Sequence, residues 1–159
     1  MDVRTREVPE LHVVTEERSV DQAELEAWLP GAMARVGAHL GTDSFPYLQR
    51  EGTSEPIFVV IYEGNPNEGP TPVEVCAPVA DAAAATRTIP ALREAYVRVT
   101  KEQVLTGQLG AVYEGIEKWI SDQGLAVAAA PRETYWADFH NAAPADEVFD
   151  IGFPVGPRL

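Results

Sequence analysis

The sequence predicts an α+β fold made of two copies of a β-α-β-β unit, with mostly antiparallel strands. The first observation is a repeated ending. Residues 73–79 (VEVCAPV) and 149–155 (FDIGFPV) both read apolar, acidic, apolar, small, apolar, proline, valine. The second is a repeated beginning, residues 8–11 (VPEL) and 89–92 (IPAL). Because ligand sites favour the seams between packed units, the repeat predicts a central binding cleft.

Size and composition indicate one domain over residues 1–159, with modules at about 3–80 and about 86–155. Hydrophobic residues make up 45% of the chain and charged residues 23%, as in soluble globular proteins. The chain has no long apolar stretch, no apolar core of a signal peptide, and a single cysteine, Cys76. We therefore expect a cytoplasmic protein that does not enter membranes.

The net charge of −13 argues against direct nucleic-acid binding, since phosphate contacts need clustered Lys and Arg and the 12 basic residues are scattered. Such acidity either keeps a protein soluble or attracts cationic ligands, and composition does not separate the two.

In the first half, residues 3–15 predict a strand that is kinked at its proline. Ser19 or Asp21 is a suitable N-cap for the helix that follows. Its apolar stripe at helical spacing comprises Leu25, Trp28, Leu29, Ala32, Met33, Val36 and Leu40. The helix either covers this whole stripe up to Gly41 or begins at Pro30, where a first-turn proline is tolerated.

In the rest of the first half, residues 45–49 predict a short extended stretch and residues 56–62 a β-branched central strand. Residues 63–72 form a loop rich in Gly and Pro, and residues 73–79 predict the closing strand. The second half repeats the order. Residues 86–99 predict a strand, and residues 101–122 predict a helix that ends before Gly124. Residues 125–130 are an extended stretch and residues 132–139 a strand, and the loop at 140–146 leads to the last strand at 148–155.

The chain shows no signature of a metal site or a cofactor. The three histidines, His12, His39 and His140, share no ligand spacing, and no phosphate-binding glycine motif or nucleophile elbow is present. Cys76 stands among apolar strand residues, which predicts an inert buried thiol. Glu74 and Asp150 hold matching places in the repeated ending, and we expect both to face solvent.

Residues 132–138 (RETYWAD) form the best candidate site. On a strand, Glu133 and Tyr135 point to one face, where a carboxylate and an aromatic ring suit a cationic or planar ligand. The same pair suits acid–base chemistry if apolar surroundings raise the pKa of the carboxyl group. A surface glutamate beside a packing tyrosine is the structural alternative. Further candidate aromatic walls are Tyr62, Tyr47, Tyr113, Trp119 and Trp136, whereas Trp28 is expected in the core.

Together these motifs resemble the GyrI-like family, which includes the effector-binding domains of BmrR-type regulators. The resemblance rests on both repeated endings, on both proline-containing beginnings and on residues 132–135 (RETY), and it covers nearly the whole chain. It implies two β-α-β-β modules related by a pseudo-two-fold axis. It also implies a pocket for hydrophobic, often cationic drugs, with Glu133 as the acidic residue and Tyr135 beside it.

The resemblance leaves the activity open. We expect a standalone member without a DNA-binding segment that binds, senses or sequesters drugs or natural products and so confers resistance in a bacterium. One family branch is similar to hydrolases that open the cyclopropane ring of DNA-alkylating natural products, in which case Glu133 would be catalytic. A gyrase-inhibitor-like role, with a protein partner, is the third alternative.

Overall fold

The computed structural model describes residues 1–38 and 57–159, so the predictions for Tyr47, for Gly41 and for residues 45–49 lie outside the described residues. The described strands are β1 (Arg4–Val8), β2 (Leu11–Val20), β3 (Phe58–Tyr62), β4 (Thr71–Pro78), β5 (Arg87–Ile89), β6 (Leu92–Thr100), β7 (Leu125–Val127), β8 (Arg132–Tyr135) and β9 (Glu147–Pro157). The described α-helices are α1 (Gln22–Gly37), α2 (Lys101–Leu105) and α3 (Leu109–Asp122).

The strands form one sheet in the order β1-β6-β9-β8-β3-β4-β2-β5, with β7 also paired to β9. Every recorded pairing is antiparallel. The sheet has internal symmetry, because β6-β9-β8 on one side of the centre corresponds to β2-β4-β3 on the other. The two halves meet where β3 pairs with β8, and we call this line the seam. The predicted duplicated α+β fold is confirmed.

Both long helices cover the same face of the sheet. The buried residues of α1 pack with those of β2, β3 and β4, and the buried residues of α3 pack with those of β6 and β9. Val60 of β3 belongs to the first of these cores, and Ile151 of β9 belongs to the second. Both residues lie beside Glu133 in the strand register, so the helix-covered face is continuous across the seam.

Local sequence signals account for the helix boundaries. α1 begins after Asp21, whose side chain accepts a hydrogen bond from the backbone N–H of Glu24 in a capping box. Pro30 lies inside this helix and does not begin it. The predicted helix at residues 101–122 is instead two helices. The chain turns between them at Gly107, whose φ of 71° lies in the left-handed region that glycine tolerates.

The repeated beginnings mark places where the chain crosses from one half to the other. β1 precedes the strands of the first half but pairs with β6, where Val8 lies opposite Leu92. β5 precedes the strands of the second half but pairs with β2, where Leu11 lies opposite Ile89. These four residues pack together on the face opposite the helices. The two halves have therefore exchanged their first strands, with a proline at each crossing.

The acidic residues of the repeated endings hold the exchanged strands in place. Arg6 of β1 donates from Nη1 to Oδ2 of Asp150 at 2.8 Å and from Nε to Oε2 of Glu94 at 3.1 Å. Arg87 of β5 donates from Nε to Oε2 of Glu74 at 2.9 Å. The expectation that Glu74 and Asp150 face solvent is wrong. Asp150 is buried and Glu74 is largely covered, because each binds an arginine from the other half.

Candidate functional site

Glu133 lies at the centre of the sheet, on the face that the helices cover. It is the second residue of β8, with Val60 of β3 opposite it on one side and Ile151 of β9 on the other. Strand alternation gives Tyr135 the same face and directs Arg132 and Thr134 to the opposite one. The side chain of Glu133 is buried although the residue is ionisable. The seam therefore holds an acidic group between two apolar strand neighbours.

Three tyrosines from three elements surround this carboxyl group. The Tyr113 hydroxyl of α3 donates to Oε2 of Glu133 at 2.6 Å, and the Tyr135 hydroxyl donates to Oε1. Tyr62, at the end of β3, interacts with both Glu133 and Tyr135. All four residues are among those that the sequence predicts for the site, and the fold brings them together.

Two phenylalanines of β9, Phe149 and Phe153, each contact one of these tyrosines. The ring centroids of Tyr135 and Phe149 are 5.0 Å apart, and those of Tyr113 and Phe153 are 5.8 Å apart in an edge-to-face arrangement. Tyr135 also contacts both helix-side cores, which places its ring across the seam. Apolar walls of this kind lower the local dielectric and strengthen any charge interaction at Glu133.

Burial raises the pKa of Glu133 above its ordinary value, and the hydrogen bonds from Tyr113, Tyr135 and Tyr62 oppose this rise without cancelling it. Burial also raises the pKa of each tyrosine, and the negative charge of Glu133 raises these values further. The three hydroxyl groups therefore stay protonated and act as hydrogen-bond donors. The carboxyl group is the member of the cluster that can change its charge.

Arg132, which precedes Glu133 on β8, lies on the opposite face of the sheet by strand alternation. It acts electrostatically on Glu94 and Cys76. Within residues 1–38 and 57–159, the hydrogen bonds that lower the pKa of Glu133 come from the three tyrosines, which are neutral donors. The same ranges contain no group of three or more His, Cys, Asp or Glu side chains placed to hold a metal ion. They also contain no helix with the length and apolarity of a membrane span.

Other aromatic residues expected at the site lie elsewhere. Trp119 follows Tyr113 by six residues, which turns it by about 240° around α3. It packs against the core of the second half. Trp136 is buried just past the end of β8, and strand alternation groups it with Thr134 on the other face. Cys76 is buried, and burial raises the pKa of its thiol, in keeping with an inert residue.

Phe149 and Phe153 are not among the residues that the sequence predicts for the site, although both belong to the repeated ending. Their alternation with Asp150 is a usable signal, because it gives the two rings one face and the acid the other. What the pattern lacks is the register between β8 and β9, which places Phe149 opposite Tyr135.

No protein-family model and no curated protein matches the chain. Solved structures do match. The C-terminal domain of EcmrR superposes with a TM-score of 0.72 at 21% identity, covering 99% of this chain and 98% of that domain. In the EcmrR–DNA complex the chain spans only 58% of the EcmrR protein.

Two further structures have the same fold. SAV2435 bound to tetraphenylphosphonium gives a TM-score of 0.58 at 14% identity, covering 98% of this chain and 94% of that one. A hydrolase from Listeria innocua gives 0.58 at 11% identity, covering 97% and 91%. The fold implied by the GyrI-like resemblance is confirmed.

Proposed function

We propose, on the premise that this chain has the GyrI-like fold, that it binds hydrophobic aromatic or cationic small molecules at the seam. The observation that carries the proposal is a buried carboxyl group, that of Glu133, enclosed by Tyr62, Tyr113 and Tyr135. An acid in an aromatic enclosure favours an organic cation, because the rings offer their negative faces and the carboxylate supplies the opposite charge.

The comparison with SAV2435 supports this ligand class, since that protein binds the lipophilic cation tetraphenylphosphonium in a similar fold. The role we propose in the cell is sensing or sequestration of drugs or natural products, leading to resistance. The comparison with a DNA-bound regulator supports a sensing role, which would act through other parts of a protein or through a partner.

The test is to titrate the protein with tetraphenylphosphonium and, separately, with the neutral compound triphenylphosphine oxide. The change in tryptophan fluorescence measures binding in both titrations. We expect Glu133→Gln to weaken binding of the cation at least about tenfold, which is about 1.4 kcal/mol. Binding of the neutral compound should change much less.

The matched control is Glu114→Gln, which makes the same charge change on the exposed side of α3, next to Tyr113. It should leave both affinities as they are in the unmodified protein. Equal losses for the cation and the neutral compound in Glu133→Gln would remove charge recognition from the proposal. Saturable binding of neither compound would contradict the function itself.

A second candidate function is hydrolysis. The carboxyl group with a raised pKa, hydrogen-bonded to two tyrosine hydroxyls, is a suitable general acid or base. Mass spectrometry of a cyclopropane-containing alkylating compound after incubation tests it. A gain of one water per molecule over many equivalents, lost in Glu133→Gln, is expected of a hydrolase. An unchanged mass would exclude hydrolysis of that compound.

A further inference from the structure

The charge balance around Glu133 has a consequence for how a cation enters the seam. The carboxyl group is faced by Tyr113 from α3, by Tyr62 from β3 and by Tyr135 from its own strand. Its neighbours on β3 and β9 are the apolar Val60 and Ile151. The titratable groups of the described residues that form hydrogen bonds with it are therefore neutral phenols.

An ionised carboxylate in such an enclosure is unfavourable, because hydrogen bonds from neutral donors replace only part of its hydration. A proton on Glu133 removes the charge. A bound organic cation does the same by supplying the opposite charge, and it favours the ionised form of the acid. Two arrangements of the seam are therefore electrically balanced, one with a proton and one with a cation.

We propose that the seam exchanges a proton for a lipophilic monocation, with Glu133 protonated in the empty protein and ionised in the complex. The inference rests on the proposed function and deepens it. On binding, the O–H bond of the carboxyl group breaks and the proton passes to the buffer, while the positive charge of the ligand takes its place. The class of ligand is the monocation, because within residues 1–38 and 57–159 the tyrosines enclose one carboxylate, which balances one charge, so a dication would leave an excess.

The experiment is calorimetric titration of the full chain with tetraphenylphosphonium chloride over about pH 5–8, in buffers that differ in ionisation enthalpy. We expect release of up to about one proton per cation bound. Over the pH range where the empty protein holds the proton, affinity should rise by up to about tenfold per pH unit. The aromatic dication dibenzyl viologen should bind at least about tenfold more weakly than the monocation.

Two variants accompany the titration. Glu133→Gln should release no proton and show an affinity that does not depend on pH, whereas Glu114→Gln should behave as the unmodified protein. Infrared difference spectra of the unmodified protein give an independent measurement. The carbonyl stretch of a protonated carboxylic acid should disappear when the cation is added.

Cation binding without proton release at any pH in this range, and with a constant affinity, would overturn the exchange. It would show that the protonation of Glu133 does not change when the cation binds, and it would leave the proposed function intact. Dication binding as tight as monocation binding would overturn the assigned ligand class. If neither tetraphenylphosphonium nor triphenylphosphine oxide bound at any pH, both the exchange and the proposed function would fail.

Discussion

At the scale of single residues, the two halves differ at one pair of equivalent positions in the seam. Val60 lies opposite Val75 in the first half, and Glu133 lies opposite Ile151 in the second. Val75 and Ile151 hold the same place in the repeated ending, so Val60 and Glu133 are equivalents that also pair with each other across the seam. Replacement of a valine by a glutamate at this position is what gives a symmetric sheet its acidic centre.

Gly152 shows how closely another acid is packed on the opposite face. A Cβ atom at Gly152 would lie 1.6 Å from Oε1 of the buried Glu94. We predict that Gly152→Ala lowers the free energy of unfolding by about 3 kcal/mol, because a buried charged side chain must move to make room. Urea denaturation measures the loss.

The matched control is Gly110→Ala on α3, where an added Cβ meets no atom within 4 Å. This substitution should leave the free energy of unfolding unchanged or raise it by less than about 1 kcal/mol, because alanine has the better helix propensity and Gly110 lies in the first turn. Similar stabilities for the two variants would show that Glu94 moves aside at little cost.

At the scale of elements, the exchanged strands depend on their arginines to different degrees. The guanidinium of Arg6 contacts two buried carboxylates and stacks 3.9 Å from the ring centroid of Tyr96. Arg87 makes the equivalent contact with Glu74 nearer the surface. The two strands occupy equivalent places, yet β1 is attached through a buried ionic cluster and β5 through a half-exposed pair.

We predict that Arg6→Ala costs about 3–5 kcal/mol, because it leaves Glu94 and Asp150 buried without this partner. Arg87→Ala should cost less than Arg6→Ala, because the Arg87 side chain is 44% exposed and water can replace part of its contact with Glu74. Arg6→Lys, which keeps the charge but loses the planar fork, should fall between the two. Free energies of unfolding in urea test this order, and equal losses at Arg6 and Arg87 would contradict it.

The cost of Arg6→Ala should also depend on pH. Burial raises the pKa of Glu94 and Arg6 opposes the rise, so removing the arginine raises this pKa further. A carboxyl group whose pKa is higher in the folded state than in the unfolded state stabilises the folded state at low pH. That contribution is lost as pH rises through the folded-state pKa. The difference in free energy of unfolding between the unmodified protein and Arg6→Ala should therefore shrink as pH falls from about 7 to about 5, since protonation of Glu94 removes its unbalanced charge. A difference that stays constant or grows as pH falls would contradict the role of Glu94.

At the scale of the whole molecule, strand exchange makes each half incomplete. The partner of β1 is β6 of the second half, and the partner of β5 is β2 of the first. An unpaired edge strand with a buried face has neither its hydrogen bonds nor its packing surface. The fold should therefore behave as one cooperative unit despite its internal repeat.

We predict that fragments 1–84 and 85–159, divided at the exposed alanines between the halves, are each unfolded alone and fold when mixed. Circular dichroism measures the gain of structure on mixing. The intact chain should unfold in a single transition by circular dichroism and by tryptophan fluorescence. A fragment that folds cooperatively by itself would show that the exchanged strands are dispensable.

Sequence alone predicted the duplicated β-α-β-β order and the candidates Glu133, Tyr135, Tyr62 and Tyr113, and for the first helix it allowed a cap at Ser19 or Asp21 or a start at Pro30. These signals are readable because periodicity and capping are local properties. Only the tertiary structure decided the exchange of β1 and β5, the pairing of Asp150 with Arg6, and the convergence of Tyr113 from a helix on Glu133 from a strand. These depend on register and on the packing of helices over the sheet, which bring together residues that are distant along the chain.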